Sequence, residues 1–194
     1  MTPNQISAFE YVSILVSIIL GLGITQILSS FSDLLYHFKK VKFYFPHSIW
    51  VGFVLFLHIQ DWFVTYQLKD KMVWRLPELL FVLLYPISLF IAAKMLLPTN
   101  ENEEKFNMKI FYQSQFPMIF SVISISILLS ILFNLLFLDK GFIQQIPLLI
   151  FLSAMICLSL YQIQREIIHK ILALIILLAS ILSIILEENT WVIK

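Results

Sequence analysis

"SILVSIILGLGITQILSS", residues 13–30, runs for eighteen positions without one ionisable side chain. A helix that crosses the hydrocarbon core of a bilayer needs about 20 mostly apolar residues. Extended back to Phe9, the run meets that length, and it is apolar on every side of the helix, as a membrane span or a fully buried helix must be. The rest of the chain decides between those two.

The chain has 194 residues, of which 60% are hydrophobic and 13% charged. A soluble domain carries about 25% charge, so the shortage of charge and a mean hydropathy of +0.91 place the chain among membrane proteins. The partner this implies is the lipid bilayer. A net charge of +1 supplies no basic field for direct nucleic-acid binding. Cys157 is the single cysteine, so no intramolecular disulfide can form. It lies in an apolar run and is read as a buried, inert thiol. No metal motif or cofactor motif is present, and none is expected to be bound. No basic segment precedes the first apolar run, which is also too long for a signal peptide, so it is read as the first span.

Five further runs follow. The predicted fold class is all-α: one polytopic membrane helix bundle over 1–194, with six transmembrane helices at about 9–30, 46–68, 77–97, 117–138, 142–161 and 167–186. The first is expected to continue as helix to Phe38. Pro46, Pro77 and Pro117 fit the first turn of spans two, three and four, where a missing N–H costs nothing. Pro86 falls inside span three, where neighbouring helices can tolerate it.

The longest polar stretch is "PTNENEEKFN", Pro98–Asn107. Asn100 with Glu103 resembles a capping box, and Lys105, Lys109 and Gln113 repeat at i+4. A short interfacial helix leading into span four is one reading, and a solvated turn is the other. "YQIQREIIHK", Tyr161–Lys170, has no Gly, Pro or Asn to mark a turn. A single helix of about 40 residues would be some 60 Å long, so a hairpin is preferred. Lys39, Lys40, Lys42, Lys94, Lys105, Lys109, Arg165 and Lys170 fall on one side. Lys69, Lys71, Arg75, Lys140 and Lys194 fall on the other. Cytoplasmic loops carry the excess of Lys and Arg, which predicts both termini outside, in a bacterial inner membrane. Tyr44, Trp50, Tyr66, Trp74, Tyr112 and Trp191 fall where an interfacial aromatic belt is expected.

Polar residues inside the spans supply the functional candidates. In span one, Ser13, Ser17, Gly21, Thr25 and Ser29 repeat every four residues. Lipid gives helices no hydrophobic reason to associate, and small residues let backbones approach, so this is read as a helix-packing face. The i+4 positions drift by about 40° per step, so the face winds around the helix. In span two, His58, Asp61 and Thr65 share one face, flanked by Trp62, while Gln60 points elsewhere. A carboxylate at mid-membrane costs about 2.5–3.5 kcal/mol on insertion scales, so it should face protein or water. Antiparallel counting sets Gln26 opposite His58 and Gly23 opposite Asp61. Such a cluster can be packing glue, a proton or ion path, or a ligand site within the bilayer. Glu166 and Lys170 form an i+4 staple, Ser126, Ser130 and Asn134 form a second polar stripe, and Arg165 with His169 is read as interfacial anchoring.

The stretches "FEYVSILVSIILGLGITQIL", "FYFPHSIW" and "QDWF" lie within the first 100 residues. They resemble a group of small multi-pass bacterial membrane proteins of unsettled function. Size and span content are more faintly similar to the membrane accessory proteins of type VI-B CRISPR systems, a likeness that would imply a role in modulating antiviral defence. No nucleophile–base pair, metal motif or phosphate loop points to an enzyme. The leading expectation is a non-enzymatic regulatory or accessory membrane protein acting by helix association, with itself or with another membrane or effector protein. The alternative is a small channel or proton-linked transporter that uses the His58–Asp61 cluster.

Overall fold

The computed structural model describes residues 7–98 and 106–186. Six helices carry the chain: α1 (Ala8–Tyr36), α2 (Phe45–Tyr66), α3 (Leu76–Leu96), α4 (Met108–Phe137), α5 (Ile146–Leu160) and α6 (Glu166–Leu186). Each is long and apolar enough to cross a membrane, α5 together with the 3-10 turn Phe142–Gln145 before it. The protein is an integral membrane helix bundle.

Local chemistry sets the helix ends. Ser7 Oγ accepts the Glu10 N–H at 3.1 Å, and Glu10 Oε2 accepts the Ser7 N–H at 2.6 Å, a reciprocal cap on α1. Pro46 and Pro77 sit in the first turns of α2 and α3 as expected. Span four differs from its expected start. A continuous helix begins at Met108, capped by Asn107 Oδ1 on the Lys109 N–H, and Pro117 lies inside it. Tertiary contacts outweigh the proline here, because the turns before Pro117 are fastened to α6. The proposed Asn100–Glu103 cap, Lys105 and Trp191 lie outside the described residues. The hairpin after α5 is present, and its turn places Gln162 at φ 46. That left-handed conformation usually falls to Gly or Asn, which is why the sequence shows no turn signal.

Helix α1 packs on α2 and α3, α3 on α4, α4 on α5, and α6 on α2. Two apolar clusters fill the interior. One gathers Ile27, Trp50, Val54, Ala92, Tyr112, Phe116, Phe120 and Met155. The other gathers Val12, Val16, Leu20, Leu68, Val82, Leu89 and Phe133. The first is sealed by the lysine-rich loops. There β1 (Val41–Lys42) bonds in parallel to β2 (Phe106–Asn107), joining the loop after α1 to the loop before α4. Lys109 Nζ reaches Glu166 Oε2 at 2.6 Å, and Lys170 Nζ reaches Glu166 Oε1 at 2.8 Å.

Three sequence expectations change. Tyr44, Trp50 and Tyr112 are buried in the first cluster rather than set in a belt. The aromatic side chains that face outward include Tyr36, Phe38, Phe43 and Phe45. Cys157 is exposed on the outer surface of α5, because the buried line of that helix passes through Met155, Leu158 and Ser159. His169 is an interior residue, not an interfacial anchor.

Candidate functional site

The polar face of α2 points into the junction of α1, α2 and α3. His58 is fully buried, Asp61 is 9% exposed and Thr65 is buried. Gln60 is half-buried and Trp62 faces outward. His58 lies thirteen residues into α2, about 20 Å along a helix of about 33 Å. The layer falls between the two apolar clusters. Val54 belongs to the first, and Leu57 and Val64 pack on the second.

Gly23 opens the space for the imidazole. A Cβ at that position would overlap the His58 ring, lying 2.6 Å from Cδ2 and nearer still to Nε2. The register is therefore shifted by about one turn from the antiparallel count: Gly23 faces His58, not Asp61. Gln26 donates to Ser30 Oγ of its own helix at 3.1 Å and is not bonded to His58.

The hydrogen bonds of the site are incomplete. His58 Nδ1 lies 2.7 Å from the Val54 carbonyl oxygen. A carbonyl can only accept, so the proton sits on Nδ1 and the lone pair on Nε2. Buried His58 Nε2 and Asp61 Oδ2 have no hydrogen-bond partner among the described residues. Tyr85 of α3 lies close enough to interact electrostatically with Asp61. Native interiors leave few buried polar atoms unpaired, and each exception calls for an occupant or a role. Trp50 Nε1 and Gln145 Nε2 are the other buried side-chain atoms without a hydrogen-bond partner among the described residues, whereas Ser88 Oγ of α3 and Ser126 Oγ of α4 are 2.8 Å apart. Asn134 Nδ2 donates to Gln145 Oε1 at 3.0 Å, so the stripe of α4 splits between two neighbours.

The small-residue face of α1 lies elsewhere. The helix buries Val12, Val16, Leu20, Gly23 and Ile27. Ser13 and Ser17 sit half-buried at the edge, and Gly21, Thr25 and Ser29 face outward. A Cβ at Gly21 would meet no atom within 4 Å. Thr25 Oγ1 donates to the Gly21 carbonyl at 2.7 Å, which leaves little polarity on this face.

A second histidine site was not legible as one. His169 Nε2 donates to the Ile163 carbonyl at 2.8 Å, so Nδ1 carries the lone pair, and Tyr112 Oη donates to it at 2.8 Å. The ring packs on Tyr112 and Phe116, with centroids 5.3 and 4.7 Å away. His47 Nε2 donates to the Leu96 carbonyl at 2.6 Å. Among the described residues no three His, Cys, Asp or Glu side chains come together to hold a metal ion. Comparison with family models, with curated proteins and with solved structures finds no match.

Proposed function

We propose that this membrane protein is a small, non-enzymatic proton-linked transporter or channel whose working centre is the His58–Asp61 face. The observation that carries the reading is that, of four buried side-chain atoms without a partner among the described residues, the two on ionisable groups, His58 Nε2 and Asp61 Oδ2, lie one turn apart on one face of α2. Intramembrane ionisable groups mark proton and ion routes. Thr65, Asp61 and His58 descend one helical turn at a time from the end of α2 nearest Leu68. Beyond His58 the same face continues as buried Val54 and Val51, then buried Trp50, whose indole N–H is the one polar group among the three. The polar ladder thus serves one side of the membrane, and the apolar turns form the barrier on the other.

The test is proton flux into liposomes holding a pH-sensitive dye, driven by an imposed membrane potential. The native chain should dissipate the gradient, and Asp61→Asn should abolish flux while inserting and folding normally. Absence of flux with the native protein sinks the reading.

The second reading is a regulatory or accessory protein that associates through α1, with a defence role as its resemblance implies. It is favoured by Gly21, Thr25 and Ser29 facing outward without use inside the chain. Ser17→Leu with Gly21→Leu should weaken oligomers on cross-linking in the bilayer, and unchanged oligomers remove it. The lysine distribution supports an orientation with both termini outside, and the resemblance implies a bacterial inner membrane. Accessibility of a cysteine placed in the loop between α2 and α3, in a Cys157→Ser background, checks that orientation.

A further inference from the structure

We propose that the lysine-rich end carries a headgroup site for an anionic phospholipid, in the groove between the loop after α1 and the start of β2. Lys39, Lys40, Val41, Lys42, Phe106 and Asn107 line a half-open groove of about 320 Å³. That volume lies at the small end of ligand sites and suits a phosphate group with its glycerol. The β1–β2 bridge fixes the walls by pairing Val41 with Phe106 and Lys42 with Asn107. Three ammonium groups on four consecutive positions are thereby held around one opening.

None of the three lysines takes part in an ion pair among the described residues, whereas Lys71, Lys109 and Lys170 all do. Among the described residues the groove therefore presents positive charge with no carboxylate paired to it. The occupant follows from what flanks it. Tyr36 and Phe38 precede the lysine run, Phe43 and Phe45 follow it, and all four face outward. Aromatic rings in such a position sit at headgroup depth, which brings lipid phosphates, rather than bulk solutes, to the lysines. Asn107 adds a neutral polar side chain, although its Oδ1 is already engaged by the Lys109 N–H.

The test measures retention of fluorescent phosphatidylglycerol against phosphatidylcholine by the full chain in detergent micelles. The native protein should prefer phosphatidylglycerol. A lysine near an anionic surface contributes about fivefold, so K39Q/K40Q/K42Q should lower that preference by on the order of a hundredfold at most. All three side chains are exposed, so melting temperature should not change. A control at the opposite end, K69Q/K140Q, should leave the preference intact; an equal loss there would mean bulk charge and would overturn the site. Displacement of the lipid by millimolar inorganic phosphate at fixed ionic strength would overturn the lipid assignment in favour of free phosphate. Glu101, Glu103 and Glu104 precede Phe106 in the sequence. If the preference appears only when all three are changed to Gln, the lysines serve the chain's own carboxylates and the proposal fails.

Discussion

His58 and His169 are both buried, yet their surroundings differ. Each has one ring nitrogen donating to a backbone carbonyl, Val54 for His58 and Ile163 for His169. At His169 the other nitrogen accepts from Tyr112. At His58 the other nitrogen is closed in against Gly23 and accepts from no donor among the described residues. The same residue type therefore serves as a finished staple between α4 and α6 and as an unfinished site between α1 and α2. Burial alone does not tell the two apart; the second nitrogen does.

The largest effect should come from closing the space that His58 occupies. Gly23→Ala places a methyl group within the imidazole ring, and overpacking a filled interior typically costs about 1–3 kcal/mol, occasionally more. Unfolding in mixed micelles should register a loss near the top of that range. Combining Gly23→Ala with His58→Ala should recover most of it, because the clash then has no second partner. Strict additivity would mean that Gly23 and His58 do not share this contact.

The next effect separates the two histidines. Asparagine reproduces the Nδ1 half of an imidazole and lacks Nε2. His58→Asn can keep the bond to Val54 while losing the unpartnered nitrogen and part of the ring's volume, so its cost to stability should be smaller than that of losing a made hydrogen bond. His169→Asn removes the donor to Ile163 and should cost about 1–3 kcal/mol, the penalty of leaving a buried group unpaired. Tyr112→Phe should fall within the same range, since it strips the donor from His169 Nδ1. Proton flux should show the reverse ranking: lost in His58→Asn and retained in Tyr112→Phe. Equal stability costs for the two Asn variants would erase the distinction between staple and site.

This contrast also marks what could be read from the chain. Long apolar runs fixed six spans, because span length follows from bilayer thickness. The face His58–Asp61–Thr65 was legible because helical periodicity alone assigns neighbours along α2. Its partner was off by a turn, since the β1 and 3-10 segments between α1 and α2 set the register and carry no periodic signal. His169 was misplaced for a related reason. Its partners, Tyr112 and Ile163, lie 57 and 6 residues away, and nothing in local spacing joins them. Pro117 falls inside α4 rather than at its start because contacts to α6 hold the turns before it, while the hairpin after α5 forms as expected although its left-handed residue is Gln162 and carries no turn signal.

A smaller effect tests the satisfied part of the polar layer. Ser88→Ala removes the hydroxyl pair with Ser126. Interhelical hydrogen bonds in membranes average about 0.6 kcal/mol, and Ser126 keeps its bond to the Val122 carbonyl at 3.1 Å. A loss of that order, with flux unchanged, would show that the hydroxyls joining α3 to α4 act as glue while the unpartnered atoms do not. Loss of flux in Ser88→Ala would instead extend the site from α2 onto α3.

The smallest effect should fall on the ion pairs beside His169. Lys109, Glu166 and Lys170 side chains are 41%, 36% and 55% exposed, so water screens their attraction and exposed pairs contribute about 0–1 kcal/mol. Lys109→Gln leaves Glu166 paired with Lys170 and should cost a few tenths of a kcal/mol in mixed-micelle unfolding. The small loss should fade further as salt is raised through the range where the screening length falls below about 8 Å. Glu166→Gln releases both lysines and should cost somewhat more, with the same salt dependence. Neither should disturb the buried triad of Tyr112, His169 and Ile163, whose hydrogen bonds are shielded from ions. A salt-independent loss comparable to that of Tyr112→Phe would mean that Glu166 positions α6 for His169, and that the finished staple depends on charge at the membrane surface as much as on its own bonds.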